Sequence, residues 1–186
     1  MPNEFKQQDF QLSKDLTSKF LAENSPQKIA DVATSISGLP SVNVSEQKLT
    51  PDERLVAETI FLEAAGEPSL SRLATASILE NRASFKNTSL AFEAKKDQQF
   101  SVWNDNGEKA MRWRAEGKMT GPAWEESVKF ARMAIAGTLP MRSQYTHMYN
   151  PETSNPSWKN QLTQTRQIGA MIFGRLEDGL YAKKPR

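Results

Sequence analysis

Two helices joined by a sharp break constrain the fold of this chain more than any other sequence feature. The run from Thr50 to Glu53 combines a capping threonine, a proline in the first turn and a glutamate that can reach back, which is typical of a helix start. Residues at helical spacing then follow, namely Leu55, Val56, Thr59 and Ile60. Gly66 and Pro68 end this helix, because glycine readily takes the capping conformation and proline cannot continue a hydrogen-bonded turn. A second, apolar helix is predicted from Leu70 to Arg82.

Glu63 lies in the last turn of the first predicted helix. A carboxylate there faces the negative end of the helix dipole, and Phe61, Leu62 and Ala64 offer little to solvate a charge, so we expect its protonated form to be favoured. Such a group is suited to general acid catalysis. Solvated helix faces also carry Glu-x-x-x-Glu pairs such as Glu63 and Glu67, so the spacing alone does not separate a catalytic acid from a surface pair.

The stretch from Leu55 to Arg82, LVAETIFLEAAGEPSLSRLATASILENR, resembles the cell-wall hydrolase family of spore-cortex-lytic enzymes. The pattern of that family is a helix ending in Gly-Glu-(Ala/Ser)-Arg-Gly-Glu, followed by an alanine- and valine-rich helix ending in Asn-Arg. Two further blocks agree in order: Gln99 to Trp103 is similar to the family's Phe-Ser segment, and His147 to Pro151 with Pro156 to Trp158 is similar to its Tyr-Asn-Pro and Pro-x-Trp motifs. The likeness extends from about Thr50 to Tyr181.

This resemblance implies a mainly α, lysozyme-like helical domain, with short strands or loops lining a cleft, that cuts the glycan strands of peptidoglycan. The chain keeps Glu63 and Glu67, on which the chemistry would depend. It departs from the family pattern at Leu62, where glycine is usual, and at Ala65, where arginine is usual. Both departures flank the predicted acid, so substrate contacts around it are expected to differ.

Four further residues complete the predicted substrate site, together with Glu67: Ser101, Trp103, Tyr149 and Asn150. Ser101 either hydrogen-bonds the glycan or stabilises a turn, and Trp103 is either a stacking platform for a sugar or a core residue. The resemblance places Tyr149 and Asn150 next to the acid, where a tyrosine hydroxyl can orient a carboxyl group or bind an N-acetyl group. His147 has no cysteine to activate and Ser101 is not in a Gly-x-Ser-x-Gly elbow, so we interpret His147 as structural.

Two mechanisms of glycan cleavage are compatible with this pattern. Hydrolysis ordinarily uses two carboxylates, about 5 Å or about 6.5–9.5 Å apart, and the break at Gly66 and Pro68 argues against Glu63 and Glu67 being near neighbours. A lytic transglycosylase needs one acid, so we favour Glu63 as acid and then base. Glu67 would hold the loop by accepting backbone N–H groups around the start of the next helix. The alternatives are a two-carboxylate muramidase and a catalytically silent lysozyme-like structural or virion assembly protein.

Composition excludes several other classes of function. The chain has no cysteine and a single histidine among its 186 residues, so thiolate chemistry and a multi-histidine metal centre are excluded, and we expect no metal or organic cofactor. Its 24 basic and 22 acidic residues are too balanced to indicate a nucleic-acid partner. Basic clusters at 95–96, 109–118 and 183–186 either favour an anionic polymer such as peptidoglycan or only keep the surface soluble.

Residues 1–48 are predicted to be a helical extension and linker, and residues 49–186 the lysozyme-like domain. Apolar stripes within 5–21 and 29–36 either dock on the domain or bind a partner protein. No stretch approaches the roughly 20 apolar residues of a membrane span, and residues 1–10 lack the apolar core of a signal peptide. We therefore expect synthesis in the cytoplasm and action at the cell wall in the periplasm, as for a bacteriophage endolysin or a protein carried in the virion.

The remaining elements are predicted from local patterns. Residues 84–119 lack periodicity and indicate loops and short strands, whereas a helix from Gly121 to Gly137 carries a core stripe of Trp124, Val128, Ala131 and Ile135. Residues 145–151 alternate as an extended segment does, and a last helix is predicted from about Trp158 to Leu176. We interpret Asn81 as a helix cap and Arg82 as the partner of a local carboxylate.

Overall fold

The computed structural model describes residues 48–96, 99–141 and 143–176. This part of the chain contains five α-helices: α1 Pro51–Ala64, α2 Ser69–Lys86, α3 Leu90–Lys95, α4 Glu108–Ala115 and α5 Pro122–Ile135. Three strands follow: β1 His147–Tyr149, β2 Leu162–Ile168 and β3 Met171–Leu176. Short 3-10 turns lie at Ser101–Trp103, Asp105–Gly107 and Lys159–Gln161. Residues 1–47 of the predicted extension lie outside the described residues. The domain boundary at 48/49 therefore stays a prediction.

Helix α1 begins where the capping signals predict. The Thr50 hydroxyl accepts the Glu53 N–H at 3.2 Å, and the Thr50 N–H donates to the Glu53 carboxylate at 2.8 Å. This backbone hydrogen bond, with the smaller effect of Arg132, lowers the pKa of Glu53. Arg132 Nε also donates to Glu53 Oε1 at 3.1 Å, so the start of α1 is fastened to α5. The predicted capping box is therefore confirmed, and it also joins two helices.

Helices α1, α2 and α5 pack around the core, as their apolar stripes indicate. The fully buried side chains include Val56, Ile60, Leu73, Ile78 and Phe130. The predicted helix from Gly121 to Gly137 is confirmed as α5, and Val128 and Ala131 are buried as expected. Ile135 was predicted to lie in the core but is 45% exposed, because the buried face of α5 ends at Ala134.

A buried ion pair attaches α4 to α1. The Glu58 side chain is fully buried, and Arg114 donates two hydrogen bonds to its carboxylate, one of them from Nε at 2.7 Å. The bonds from Arg114 raise the pKa of its guanidinium group. Arg54, one turn before Glu58, approaches the same carboxylate at 3.8 Å. Desolvation makes an unpaired buried carboxylate costly, so this arrangement fixes where α4 lies.

Residues 84–119 are more helical than predicted. Helix α2 continues to Lys86, and Ser89 then caps α3 by accepting the Phe92 N–H at 3.1 Å. Helix α4 has the sequence EKAMRWRA, which is rich in strong helix formers. The expected short strands are thus wrong for the described part of this stretch, and loops and 3-10 turns lie only between the helices, because short helices need no long apolar periodicity.

The predicted last helix from Trp158 to Leu176 is also wrong. These residues form a 3-10 turn and the antiparallel strands β2 and β3, and Ile168 pairs with Met171 across the turn that contains Gly169. Exposed and partly buried residues alternate along β2, which has the period of two of a strand. Strand β3 lies between β2 and β1, and β1 confirms the predicted extended segment at 145–151. The sheet thereby supplies one wall of the candidate site.

Candidate active site

A cleft of about 860 Å³ opens between the end of α1, the turn at 99–104 and strand β1. Five of the six predicted site residues line it: Glu63, Glu67, Ser101, Tyr149 and Asn150. These residues come from three separate parts of the chain. The fold therefore brings the three sequence blocks that carry the family resemblance to a single concave surface.

Glu63 is held by the turn at 99–104, which borders the same cleft. Helix α1 ends at Ala64, so Glu63 lies in its last turn as predicted, and its side chain is partly buried. The carboxylate atom Oε1 accepts hydrogen bonds from the Ser101 hydroxyl at 3.1 Å and from the Val102 N–H at 3.0 Å. Two donors on one oxygen fix the plane of the carboxyl group. Both of these hydrogen bonds end on Oε1 rather than on Oε2.

Glu67 joins the loop after α1 to the β2–β3 turn. Its Oε2 atom accepts the Ala170 N–H at 2.9 Å, whereas a donor at the start of the next helix was predicted. Glu67 does accept a backbone N–H, but the donor lies 103 residues away along the chain. Arg72 reinforces the loop, because its Nη1 atom donates to the Glu67 carbonyl oxygen at 2.6 Å. The loop that follows the acid is therefore braced from both sides.

Ser101 and Trp103 occupy different positions relative to the cleft. Ser101 donates to Glu63, so its side chain contacts the candidate acid directly. Trp103 does not line the cleft; its indole N–H donates to Thr59 Oγ1 at 2.8 Å, and Lys95 Nζ lies 5.8 Å from its ring centre. A hydrogen bond to α1 of this kind holds the turn that carries Ser101 against the helix that carries Glu63.

Tyr149 and Asn150 lie at the end of β1, and both line the cleft with Glu63. The Tyr149 ring packs edge-on against Trp158, with ring centres 5.8 Å apart. Asn150 organises the next turn, because its Oδ1 atom accepts the Glu152 N–H at 2.9 Å. These contacts set the backbone beside the acid, and the substrate contacts of both residues stay a prediction.

Asn81 and Arg82 support the wall that carries β1. Asn81 Nδ2 donates to the carbonyl oxygens of Ser143 and Tyr145 at 2.8 and 2.9 Å, so it is not a helix cap. Arg82 Nε donates to the Thr146 carbonyl oxygen at 2.6 Å, and its guanidinium group lies over the Phe100 ring. Neither side chain was expected to bind backbone some 60 residues away, because such pairing is invisible to local patterns.

Two cleft residues on α4 were given no role in the site by sequence reasoning. Lys109 Nζ donates to the Leu62 carbonyl oxygen at 3.1 Å, and Trp113 packs edge-on against Phe61 with ring centres 5.8 Å apart. Their spacing of four residues, which puts both on one face of a helix, is the signal that was available. Residues 84–119 were expected to be loops and strands, so this spacing could not be interpreted as that of a helix.

The described residues contain no cluster of three or more side chains that can hold a metal ion. Within the same ranges, no helix is long and apolar enough to cross a membrane.

A small helical domain with a glutamate at the end of one helix, lining a cleft walled by a short sheet, has the lysozyme-like architecture that the sequence resemblance implied. The Cell Wall Hydrolase family model matches residues 66–174, and the chain belongs to this family. The mainly α, lysozyme-like fold that the resemblance implied is thereby confirmed.

Individual relatives agree with the family assignment. The spore cortex-lytic enzyme of Oceanobacillus iheyensis is 30% identical over 144 residues, which are 73% of this chain and 46% of that protein. The chain thus spans about half the length of this relative. The catalytic domain of the germination-specific lytic transglycosylase SleB from Bacillus anthracis is 26% identical, with a TM-score of 0.50 over 70% of this chain and 98% of that domain. The corresponding Bacillus cereus domain is 27% identical over 74% of this chain and all of that domain, with a TM-score of 0.49.

Proposed function

We propose that this chain cleaves the glycan strands of peptidoglycan as a lytic transglycosylase, with Glu63 as the general acid and then the base. The observation that carries the proposal is the anchoring of Glu63 in the cleft by Ser101 and the Val102 N–H. Family membership and the likeness to a Bacillus anthracis lytic transglycosylase domain support the same substrate class.

The hydrogen bonds of Glu63 indicate which oxygen would carry the transferable proton. Oε1 accepts from two donors, so a proton on that atom would displace one of them. The proton therefore belongs on Oε2. A fixed carboxyl plane then directs this proton toward one face of the bound glycan, which is the positioning that general acid catalysis requires.

The surroundings of the second glutamate favour a mechanism with one carboxylate. Among the described residues that line the cleft, the carboxylates are Glu63 and Glu67. Glu67 already accepts the Ala170 N–H with Oε2, and this bond holds the β2–β3 turn. Because Glu67 Oε2 is engaged in this contact while Glu63 is held through Oε1, we assign the brace to Glu67 and proton transfer by Oε2 to Glu63.

The proposed reaction then needs no second acid. Glu63 Oε2 protonates the glycosidic oxygen, the bond from that oxygen to C1 of the muramyl residue breaks, and positive charge develops at C1. The resulting carboxylate removes the proton from the muramyl 6-hydroxyl group, whose oxygen bonds to C1. A 1,6-anhydro end and a free 4-hydroxyl end result, and Glu63 is protonated again.

The decisive experiment compares Glu63→Gln with Glu125→Gln, an exposed glutamate on α5 outside the cleft. Purified peptidoglycan is used in a zymogram, and the products are analysed by mass spectrometry. We expect Glu63→Gln to abolish cleavage without changing the melting temperature, and Glu125→Gln to behave as wild type. Anhydro ends identify the lyase, whereas reducing muramyl ends would identify a muramidase. Cleavage by Glu63→Gln would refute the assignment of the acid.

The departures at Leu62 and Ala65 are the reason to test one alternative, a catalytically silent lysozyme-like module in an assembly such as a virion. The Leu62 side chain is buried, and Ala65 lines the cleft. Absence of clearing by the wild-type protein in the same zymogram would support this alternative. We further propose that the site of action is the bacterial cell wall, and delivery by a bacteriophage stays a prediction.

A further inference from the structure

His147 lies on the sheet wall of the cleft, at the first position of β1. Its ring contacts the Trp158 ring, with centres 4.9 Å apart. Tyr149, two residues further along the same strand, contacts Trp158 as well. Side chains at this spacing lie on one face of a strand, so Trp158 supports both rings. The imidazole is therefore held in a defined position that borders the substrate cleft.

The neighbouring hydroxyl group determines which ring nitrogen carries hydrogen. Thr146 is fully buried, and its Oγ1 atom accepts the Leu176 N–H at 2.9 Å. The same Oγ1 atom lies 2.9 Å from His147 Nδ1. A buried hydroxyl hydrogen without an acceptor is costly, and Nδ1 is the acceptor at hand. We therefore assign the hydroxyl as the donor to Nδ1, which places the hydrogen of the neutral ring on Nε2.

The charges around the ring keep it neutral. Burial, with the nearby charges of Arg82 and Lys86, lowers the pKa of His147 to about 4. Both cations lie on α2, which packs beneath the sheet wall. The other titratable groups that line the cleft are Glu63, Glu67, Lys109 and Tyr149. At the pH of a bacterial envelope, the imidazole is therefore a hydrogen-bond donor through Nε2 rather than a cation.

We propose that His147 is a substrate-binding residue whose Nε2–H donates to an amide carbonyl oxygen of the glycan. This inference rests on the proposed function. Peptidoglycan offers two such oxygens near a muramyl residue, in the acetamido group and in the lactyl amide that begins the stem peptide. A neutral donor beside two cations suits an electron-rich, uncharged oxygen. This role goes beyond the structural interpretation that the sequence favoured for His147.

Two variants separate binding from a purely structural role. Glutamine places its amide nitrogen near the position of Nε2, whereas asparagine reaches only the position of Nδ1. Each is combined with Glu63→Gln, so that peptidoglycan fragments bind without being cleaved. We expect His147→Gln to retain most of the affinity and His147→Asn to bind roughly ten-fold more weakly, the usual effect of losing one hydrogen bond to a buried polar group. If only the bond to Thr146 mattered, the order of the two variants would be reversed.

A second measurement observes the imidazole ring directly. Long-range nitrogen–proton NMR spectra of wild-type protein should show the Nε2–H tautomer at pH 6, with a change at Nε2 when fragments bind. The acceptor is identified with two kinds of fragment, one without N-acetyl groups and one without stem peptides. His147→Asn should no longer weaken binding of the fragment that lacks the acceptor. An Nδ1–H tautomer, or equal affinity of both variants, would overturn the inference. Absence of cleavage by wild-type protein, with the NMR result intact, would refute only the proposed function.

Discussion

The contact between Glu67 and the β2–β3 turn is best tested by adding one carbon atom at Gly169. This glycine has φ +60°, and a Cβ there would overlap Glu67 Oε2 and lie 2.7 Å from Pro68 Cδ. The carboxylate can rotate away only by giving up the Ala170 N–H, and the proline ring cannot rotate at all. Gly169→Ala therefore perturbs the turn and the loop after the acid together.

The expected cost has three parts. A left-handed conformation costs about 1–2 kcal/mol for alanine. Loss of a hydrogen bond to a charged carboxylate adds about 1.5–3 kcal/mol. Crowding against Pro68 adds about 1–3 kcal/mol, as for other overpacked sites. Gly169→Ala should thus lower the free energy of unfolding by about 4 kcal/mol or more, within the upper range of single substitutions.

Gly117→Ala is the matched control, because Gly117 has φ +63° and no atom within 4 Å of an added Cβ. It should cost only the conformational part, about 1–2 kcal/mol. Urea denaturation followed by circular dichroism gives both free energies, and wall cleavage is measured on the same proteins. Equal losses of stability in the two variants would refute the close packing of the turn against the loop that follows Glu63.

Four further outcomes are expected. Glu67→Gln should reduce the cleavage rate only partially, since the amide oxygen still accepts the Ala170 N–H. If Glu67→Gln and Glu63→Gln abolished cleavage equally in folded proteins, a two-carboxylate muramidase would be favoured. Ser101→Ala should lower kcat by roughly five-fold at unchanged KM, because the Val102 N–H still holds the acid. As the pH falls from 6.5 to about 4, stability should fall more for wild type than for His147→Gln. The pKa of His147 is lowered to about 4 in the folded protein, so the unfolded chain binds this proton at a higher pH than the folded chain does. Equal melting temperatures of the two proteins across this pH range would contradict the prediction. A protein starting at Lys48 should stay folded and active, and loss of cooperative melting would show that the extension completes the core.

Helices α1, α2 and α5 were predictable because their signals are local, whereas the short helices α3 and α4 were missed. A capping threonine, a proline in the first turn and an apolar stripe lie within 14 residues of one another in α1. The position of Glu63 in the last turn follows from the same signals. Helix α5 was predicted equally well, although two residues of its predicted core stripe are not fully buried, since Trp124 is half-buried and Ile135 is exposed.

The sheet was not predictable by the same means. Residues 162–176 carry isoleucines whose spacing fits a helix, and Gly169 is the point at which the chain turns back instead. Strand pairing depends on contacts between segments rather than on neighbours within one segment. The Ala170 N–H that binds Glu67 is the clearest case, because its partner is 103 residues away and no local pattern records it.

The two departures from the family pattern now have different physical meanings. Both residues line the cleft, but the Leu62 side chain is buried, so this change also alters packing beneath the site, whereas the half-buried Ala65 alters the surface that a glycan would meet. The anchoring of Glu63 depends on neither side chain, since it relies on Ser101 and on a backbone N–H that no substitution of residue 102 other than proline removes. The acid can therefore keep its orientation while the surrounding surface changes, and we expect the departures to affect substrate preference more than the capacity for cleavage.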